Sequence, residues 1–219
     1  MVSIYIFARI NTCIYILLGK TKKGYLLKKT ILQLIKSDLI QARILKKEDK
    51  LNFLKFLFYF CKSKTCRVQT FIRLRATNNI LSYLSKKYLD GLFIEIGKNT
   101  IIDEYFFLPH PRCIIIANNV QIGKHVHIGQ YVTIGGNLKK TRELTTGIIQ
   151  KMPIIGDRVM INPGSVVGGP VKIGSDVILG ANSVITKDVD SNSIAFSQNK
   201  IANKKITLSS ECELIKEKQ

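Results

Sequence analysis

IGDRVM-INPGSV-VGGPVK-IGSDVI-LGANSV-ITKDVD, residues 155–190, is the stretch that decides the fold. Read in sixes, every block opens on Ile, Leu or Val, Gly often follows, and Val or Ser stands fifth. A six-residue period makes each block one flat side of a triangular coil, the signature of a parallel β-helix. The first position points into the prism and stacks on its equivalent 18 residues later, one strand spacing of about 4.8 Å away. The Gly after it relieves crowding where the chain turns the corner.

Working upstream, the same register holds in IGKNTI (96–101), IDEYFF (102–107) and LPHPRC (108–113). Ile114 and Ile115 stand outside the sixes, which resume as IANNVQ (116–121), IGKHVH (122–127) and IGQYVT (128–133). The polar stretch 137–153 breaks the repeat, and its KKTRE run must leave the coil as a loop. Long loops in repeat folds are commonly functional.

Residues 1–90 read differently. Apolar residues recur at helical spacing from Thr30 to Ile44, an aromatic run fills Leu51 to Cys61, and Asn79 to Leu89 predicts a further helix stopped by Asp90-Gly91. The expected organisation is a basic helical domain over 1–90, a β-helix over 91–190 carrying the insert 137–153, and a tail over 191–219 with a helix at 209–218. This is an α+β chain. Val2 to Leu18 is apolar but carries Arg9, lacks a basic lead or a cleavage pattern, and is too short to span a bilayer.

Charge is concentrated in the helical part. The chain has 34 Lys and Arg against 15 Asp and Glu, and residues 1–90 hold 19 of the bases with 4 of the acids. Such asymmetry predicts an anionic partner surface or a solvated basic face. The aromatics near 51–75 form a dense block rather than spaced stacking platforms, which argues against nucleic acid. Docking on the inner face of an anionic membrane is the alternative that suits a cytoplasmic enzyme. Five cysteines without CxxC spacing fit a reducing compartment rather than a disulfide framework.

Three histidines exist, His110, His125 and His127. His110 lies just before the two-residue irregularity, and such bulges re-aim side chains beside active sites. Glu95 precedes it by fifteen residues, which places carboxylate and imidazole on adjacent coils. In that arrangement Glu95 fixes the tautomer while the free ring nitrogen takes a hydroxyl proton. Cys113 invites a covalent route, but a small residue beside the coil is the plainer reading. His125 and His127, two apart, read as exterior residues flanking the cleft. With His110 they are also the only histidine set for a zinc site of the kind used by β-helical carbonic anhydrases.

The residues FIEIGKNTIIDEYFFLPHPRCIIIANNVQIG, IGQYVTIGG, IIGDRVMI and VKIGSDVILGANSVITKDV resemble the serine O-acetyltransferase family and its relatives that acetylate surface polysaccharides. The resemblance implies a left-handed β-helix, a homotrimer with sites between subunits, and acetyl-CoA as cosubstrate with no metal. By match it implies His110 and Glu95 as catalytic pair. Gly135 and Gly136 would then lie near the thioester, and Ala181 and Lys187 along the rest of CoA. His127, flanking the cleft, and Gln130 are the candidates for contact with the acceptor. The sequence departs from the serine enzymes at Pro109, where they carry an acid, and at Met152, where they carry a second histidine. It departs also at Pro163 and at Phe196-Ser197-Gln198-Asn199, where their closing Gly-Val-Pro-Ala is absent. These departures favour a sugar hydroxyl as acceptor, with serine as the alternative.

Overall fold

The computed structural model describes residues 31–75, 80–97, 99–137, 140–144, 147 and 149–197. The expectations for the leading apolar segment and for a helix at 209–218 lie outside these residues. Among them, four helices precede a three-sided coil: α1 (Ile31–Gln41), α2 (Phe53–Lys62), α3 (Lys64–Arg75) and α4 (Ile80–Asp90).

The coil has three parallel sheets. The first joins β1 (Ile94–Ile96), β3 (Ile114–Ile116), β6 (Thr133–Gly135), β11 (Val166–Gly168) and β14 (Val184–Ile185). The second joins β2 (Ile101–Ile102), β4 (Gln121–Ile122), β9 (Ile154–Ile155) and β12 (Lys172–Ile173). The third joins β5 (His127–Ile128), β10 (Met160–Ile161), β13 (Ile178–Leu179) and β15 (Ile194–Ala195). Block-opening residues stack as the sixes require. Ile96, Ile116, Ile134, Val167 and Ile185 form one inward ladder, and Ile128, Ile161 and Leu179 another. All are buried, with Val120, Val126, Val132, Val159 and Val177 filling the space between ladders. The architecture is the left-handed parallel β-helix that the repeat predicts.

Two details refine the sequence reading. The corners are turned by the fourth residue of most blocks, which adopts the left-handed conformation. Asn99, Tyr105, Asn119, His125, Tyr131, Arg158, Asp176 and Asn182 all have φ between 53° and 62°. Left-handed backbone disfavours a Cβ, and Asn and Asp tolerate it best. The second-place glycine relieves crowding, as expected, and the crowding is against the next coil. A Cβ on Gly156 would stand 2.8 Å from the carbonyl carbon of Gly174 in the next coil. The second detail is the position of the two extra residues. Ile94 pairs with Ile114 and Ile102 with Ile122, a coil of twenty, whereas Ile116 pairs with Ile134, a coil of eighteen. Ile114 is a buried strand residue, so the surplus lies in the corner Pro109–Cys113 itself.

The insert is a short antiparallel hairpin of β7 (Arg142–Glu143) and β8 (Ile149–Gln150) rather than an irregular loop. Arg142 pairs in a fork with Asp188 at 2.8 and 3.0 Å, and buried Gln150 donates to the carbonyls of Met152 and Val171. These contacts tie the hairpin to the coil.

The helices close the first end of the prism. Val68, Ile72 and Leu89 continue the coil's core above Ile94 and Ile102, so no apolar end is left open there. A buried fork holds the join. Arg73 donates to both carboxylate oxygens of Asp38 at 2.7 Å, and to the carbonyls of Ile102 and Asp103 at 2.6 Å. Asp38 also accepts from the Phe106 N–H at 3.0 Å. Burial pushes the Asp38 carboxyl up, and Arg73 and the Phe106 N–H pull against it. Five hydrogen bonds on a buried pair satisfy what desolvation would otherwise penalise.

Candidate functional site at the irregular corner

The twenty-residue coil exposes His110. Leu108 and Pro111 on either side are buried, and Cys113 turns the corner with φ 52°. The corner is pinned by its backbone: Arg112 N–H donates to the His110 carbonyl at 2.8 Å. Cys113 and Ile114 N–H donate to the Leu92 and Phe93 carbonyls at 3.2 and 3.1 Å. Those carbonyls immediately precede β1, which carries Glu95 outward opposite Ile115. Glu95 and His110 therefore share the first end of the coil, and both are exposed. Among the described residues, no hydrogen bond or ion pair joins their side chains. Glu95 also lines a pocket of about 290 Å³ with Arg75, Lys86, Asp90 and Asn118, between α4 and the first coil.

The other residues singled out by sequence fall on two different edges of the first sheet. One edge descends from His110. Tyr131 N–H donates to Arg112, Gly164 N–H to Gln130 and Asn182 N–H to Pro163, at 3.2, 3.0 and 2.9 Å. That ladder puts Gln130 one coil below His110 and Ala181 at its foot. The Gln130 side-chain carbonyl is buried and has no partner among the described residues.

The opposite edge carries Gly135, Gly136 and Lys187. Gly135 pairs with Gly168, and a Cβ on Gly168 would meet nothing within 4 Å. One on Gly135 would meet only the Ala117 methyl, at 3.7 Å. These two glycines leave an open strip of backbone beside the hairpin. Gly136 does not, because a Cβ there would stand 2.9 Å from the Met152 sulfur. Gly168 was not singled out by the sequence, though Gly168-Gly169 repeats the Gly135-Gly136 pair. Lys187 is exposed beside Asp188, whose carboxyl is held below the usual range by Arg142. Ala181 and Lys187 thus lie on different edges, so a single prism does not bring them to one groove.

His127 and His125 face the helices. One Gln41 side chain serves both rings, its carbonyl toward His125 Nδ1 at 3.1 Å and its amide toward His127 Nε2. Tyr105 stacks flat on His125 at 4.3 Å, and Phe107 meets His127 edge-on at 5.5 Å. Burial, and then the neighbouring His125, lower the pKa of His127. The pair is engaged at the domain join rather than beside His110. Among the described residues no three His, Cys, Asp or Glu side chains converge as a metal set.

Residues 152–187 match the family model for the bacterial transferase hexapeptide (six repeats). The chain is 38% identical over 100 residues to a serine acetyltransferase of Staphylococcus aureus, covering 46% of this chain and 44% of that one. It thus spans less than half the length of the curated relative it matches. A structure of serine acetyltransferase isoform 3 from Entamoeba histolytica, in complex with cysteine, superposes with a TM-score of 0.59. That match is 23% identical and covers 85% of this chain and 64% of the other. A serine acetyltransferase in complex with CoA gives a TM-score of 0.56 at 19% identity, covering 75% of this chain and 65% of that one. In repeat and coil the chain is thus similar to hexapeptide-repeat transferases, serine acetyltransferases among them.

Proposed function

We propose that the chain is an acetyl-CoA-dependent O-acetyltransferase with His110 as general base. The observation that carries this reading is the corner Pro109–Cys113. The one place where the coil runs to twenty residues presents an exposed imidazole at the same end as an exposed carboxylate. In the proposed step His110 takes the acceptor's hydroxyl proton as its oxygen attacks the thioester carbonyl. The tetrahedral intermediate collapses with cleavage of the C–S bond, and the proton passes from His110 to the departing thiolate. Glu95 steadies the imidazolium. The open backbone at Gly135 and Gly168 suits close approach of the pantetheine arm, and Gly136 supports that strip from behind through Met152.

The two edges give a reason for a homotrimer. His110, Gln130 and Ala181 stand on one edge and Gly135, Gly168 and Lys187 on the other. A complete site forms when one copy's first edge faces a neighbour's second. The reading assigns residues 1–90 to a basic helical domain and 91–190 to the acyltransferase coil, working in the cytoplasm where acetyl-CoA is available.

Serine is the acceptor the relatives support best, since a serine acetyltransferase matches across the coil. A glycan hydroxyl is the second reading, and one observation favours it: the insert ends on Met152, whose thioether packs on Gly136 where a polar group would hold a small acceptor. The test is release of free CoA from acetyl-CoA by wild type and His110→Ala, with serine and with a panel of glycans. Removing a general base lowers turnover by about 10² to 10⁴, and the melting temperature should not move. Transfer to serine selects the first reading and transfer to glycan alone the second. Undiminished activity in the mutant discards His110 as base.

A further inference from the structure

α2 is apolar round most of its circumference, with Lys55 and Lys62 in one narrow stripe, yet only part of the apolar surface is covered. Phe56, Tyr59 and Phe60 turn inward onto the cluster of Ile35, Leu39, Leu45 and Cys66. The opposite arc carries Phe53, Leu54, Leu57, Phe58 and Cys61, with Leu54 66%, Phe58 57% and Leu57 44% exposed. A contiguous exposed apolar patch on a monomer marks an interaction surface. Asn52 caps the helix by accepting from the Lys55 N–H at 2.8 Å, so the arc is held in regular helical form.

The rim of the patch is basic. Lys46, Lys47, Lys50, Lys62 and Lys64 are exposed around it, and Lys62 lies 5.5 Å over the Phe58 ring. Of the acids nearby, Asp49 is paired with Lys55 at 2.9 Å and Asp38 is buried against Arg73, which leaves Glu48. Residues 1–30 add six bases and no acid, and they join the chain at Ile31, whose side chain packs in the same cluster as α2's inner face.

We propose that the outward half of α2 docks on an anionic membrane surface, its apolar arc in the headgroup boundary and its lysines on lipid phosphates. Ten residues rise about 15 Å, too short to cross a bilayer and suited to lying in its interface. A second copy is the poorer occupant, because two such rims would set lysine against lysine. This inference does not depend on the acetyl-transfer reading.

The test uses the full chain with vesicles of phosphatidylcholine alone and with about one quarter phosphatidylglycerol, at low salt. Co-sedimentation is expected with the anionic vesicles, and is expected to fall away near 0.5 M salt, roughly where screening shortens to a few ångströms. Leu54→Asn with Leu57→Asn and Phe58→Asn should lower partitioning by about tenfold or more. Lys46→Gln with Lys47→Gln and Lys50→Gln, all surface changes, should lower it likewise and guards against misfolding of the first variant. The proposal is overturned if wild type ignores anionic vesicles. It is overturned too if a folded α2 variant, or the lysine variant, binds as wild type does, which would move binding to residues 1–30. An α2 variant that instead changes the mass of the assembly would assign the face to a second copy.

Discussion

Tyr105, His125, Gln41 and His127 form a chain of contacts whose protons are set by one amide. The Gln41 carbonyl needs a donor on His125, and its amide needs a lone pair on His127. The arrangement therefore favours the neutral form of His127, since a proton on its Nε2 would oppose the amide's N–H donors. His127 has a folded pKa below the ordinary value of 6.5. As pH falls from there, the unfolded chain takes up the proton first, so the contribution to stability is full above about 6.5 and declines below it. Hydrogen exchange in Ile31–Gln41, compared at about pH 8 and about pH 5, should show faster opening at the lower pH. His127→Asn should flatten that difference, and an unchanged pH response in this variant would remove His127 as its source. At the corner, Glu95→Gln should lower turnover less than His110→Ala and shift the acidic limb of the pH–rate profile to lower pH if the carboxylate steadies the imidazolium. An unaltered profile would confine Glu95 to the pocket it lines.

α3 is the element that periodicity passed over. Lys64–Arg75 buries Gln69, Thr70 and Arg73 along with Cys66, Val68 and Ile72, so its inward face alternates polar and apolar residues and no stripe stands out. The other three helices, read from repeating apolar positions, lie within a few residues of where the spacing puts them. What Arg73 does with its burial makes α3 decisive for the join between helices and coil. Arg73→Met alone strands the Asp38 charge and should destabilise the chain by about 3–5 kcal/mol. Adding Asp38→Leu removes the stranded charge and should restore a large part of that loss, less the carbonyl and N–H contacts of the 102–106 turn. Denaturant unfolding of the single and double variants measures this, and a double variant as unstable as the single would deny the coupling.

At the scale of the whole molecule, the separation of the candidate residues onto two edges makes a strong demand. If the site is built between copies, His110→Ala and Gly168→Leu disable different edges. The fold has room for the second change, since space at Gly168 is open. Each homogeneous variant should lose acetyl transfer. A mixture unfolded and refolded together should recover part of it, because some interfaces then pair an intact first edge with an intact second. No recovery in mixed assemblies of verified composition would place the whole site within one prism. Light scattering on the wild type should give a mass of three chains, and a monomeric, active enzyme would end the trimer reading.

The hexapeptide register by itself determined the β-helix, because a period of six with an inward first residue admits no other way to bury that ladder. Ile134, Val167 and Ile185 stand where the sixes put them. His110 and Glu95 were legible as candidates for a local reason too, since an irregularity in a strict repeat is visible without coordinates. Three things were decided only in three dimensions. The surplus pair belongs to Pro109–Cys113 and not to Ile114 and Ile115, because Ile114 is needed in the core ladder opposite Ile94. Gln41 claims His125 and His127, a contact across 84 and 86 positions that no local pattern carries. Asp38 and Arg73 look like surface charges on helices, and their burial follows from a coil end whose free N–H and carbonyl groups need partners of both signs.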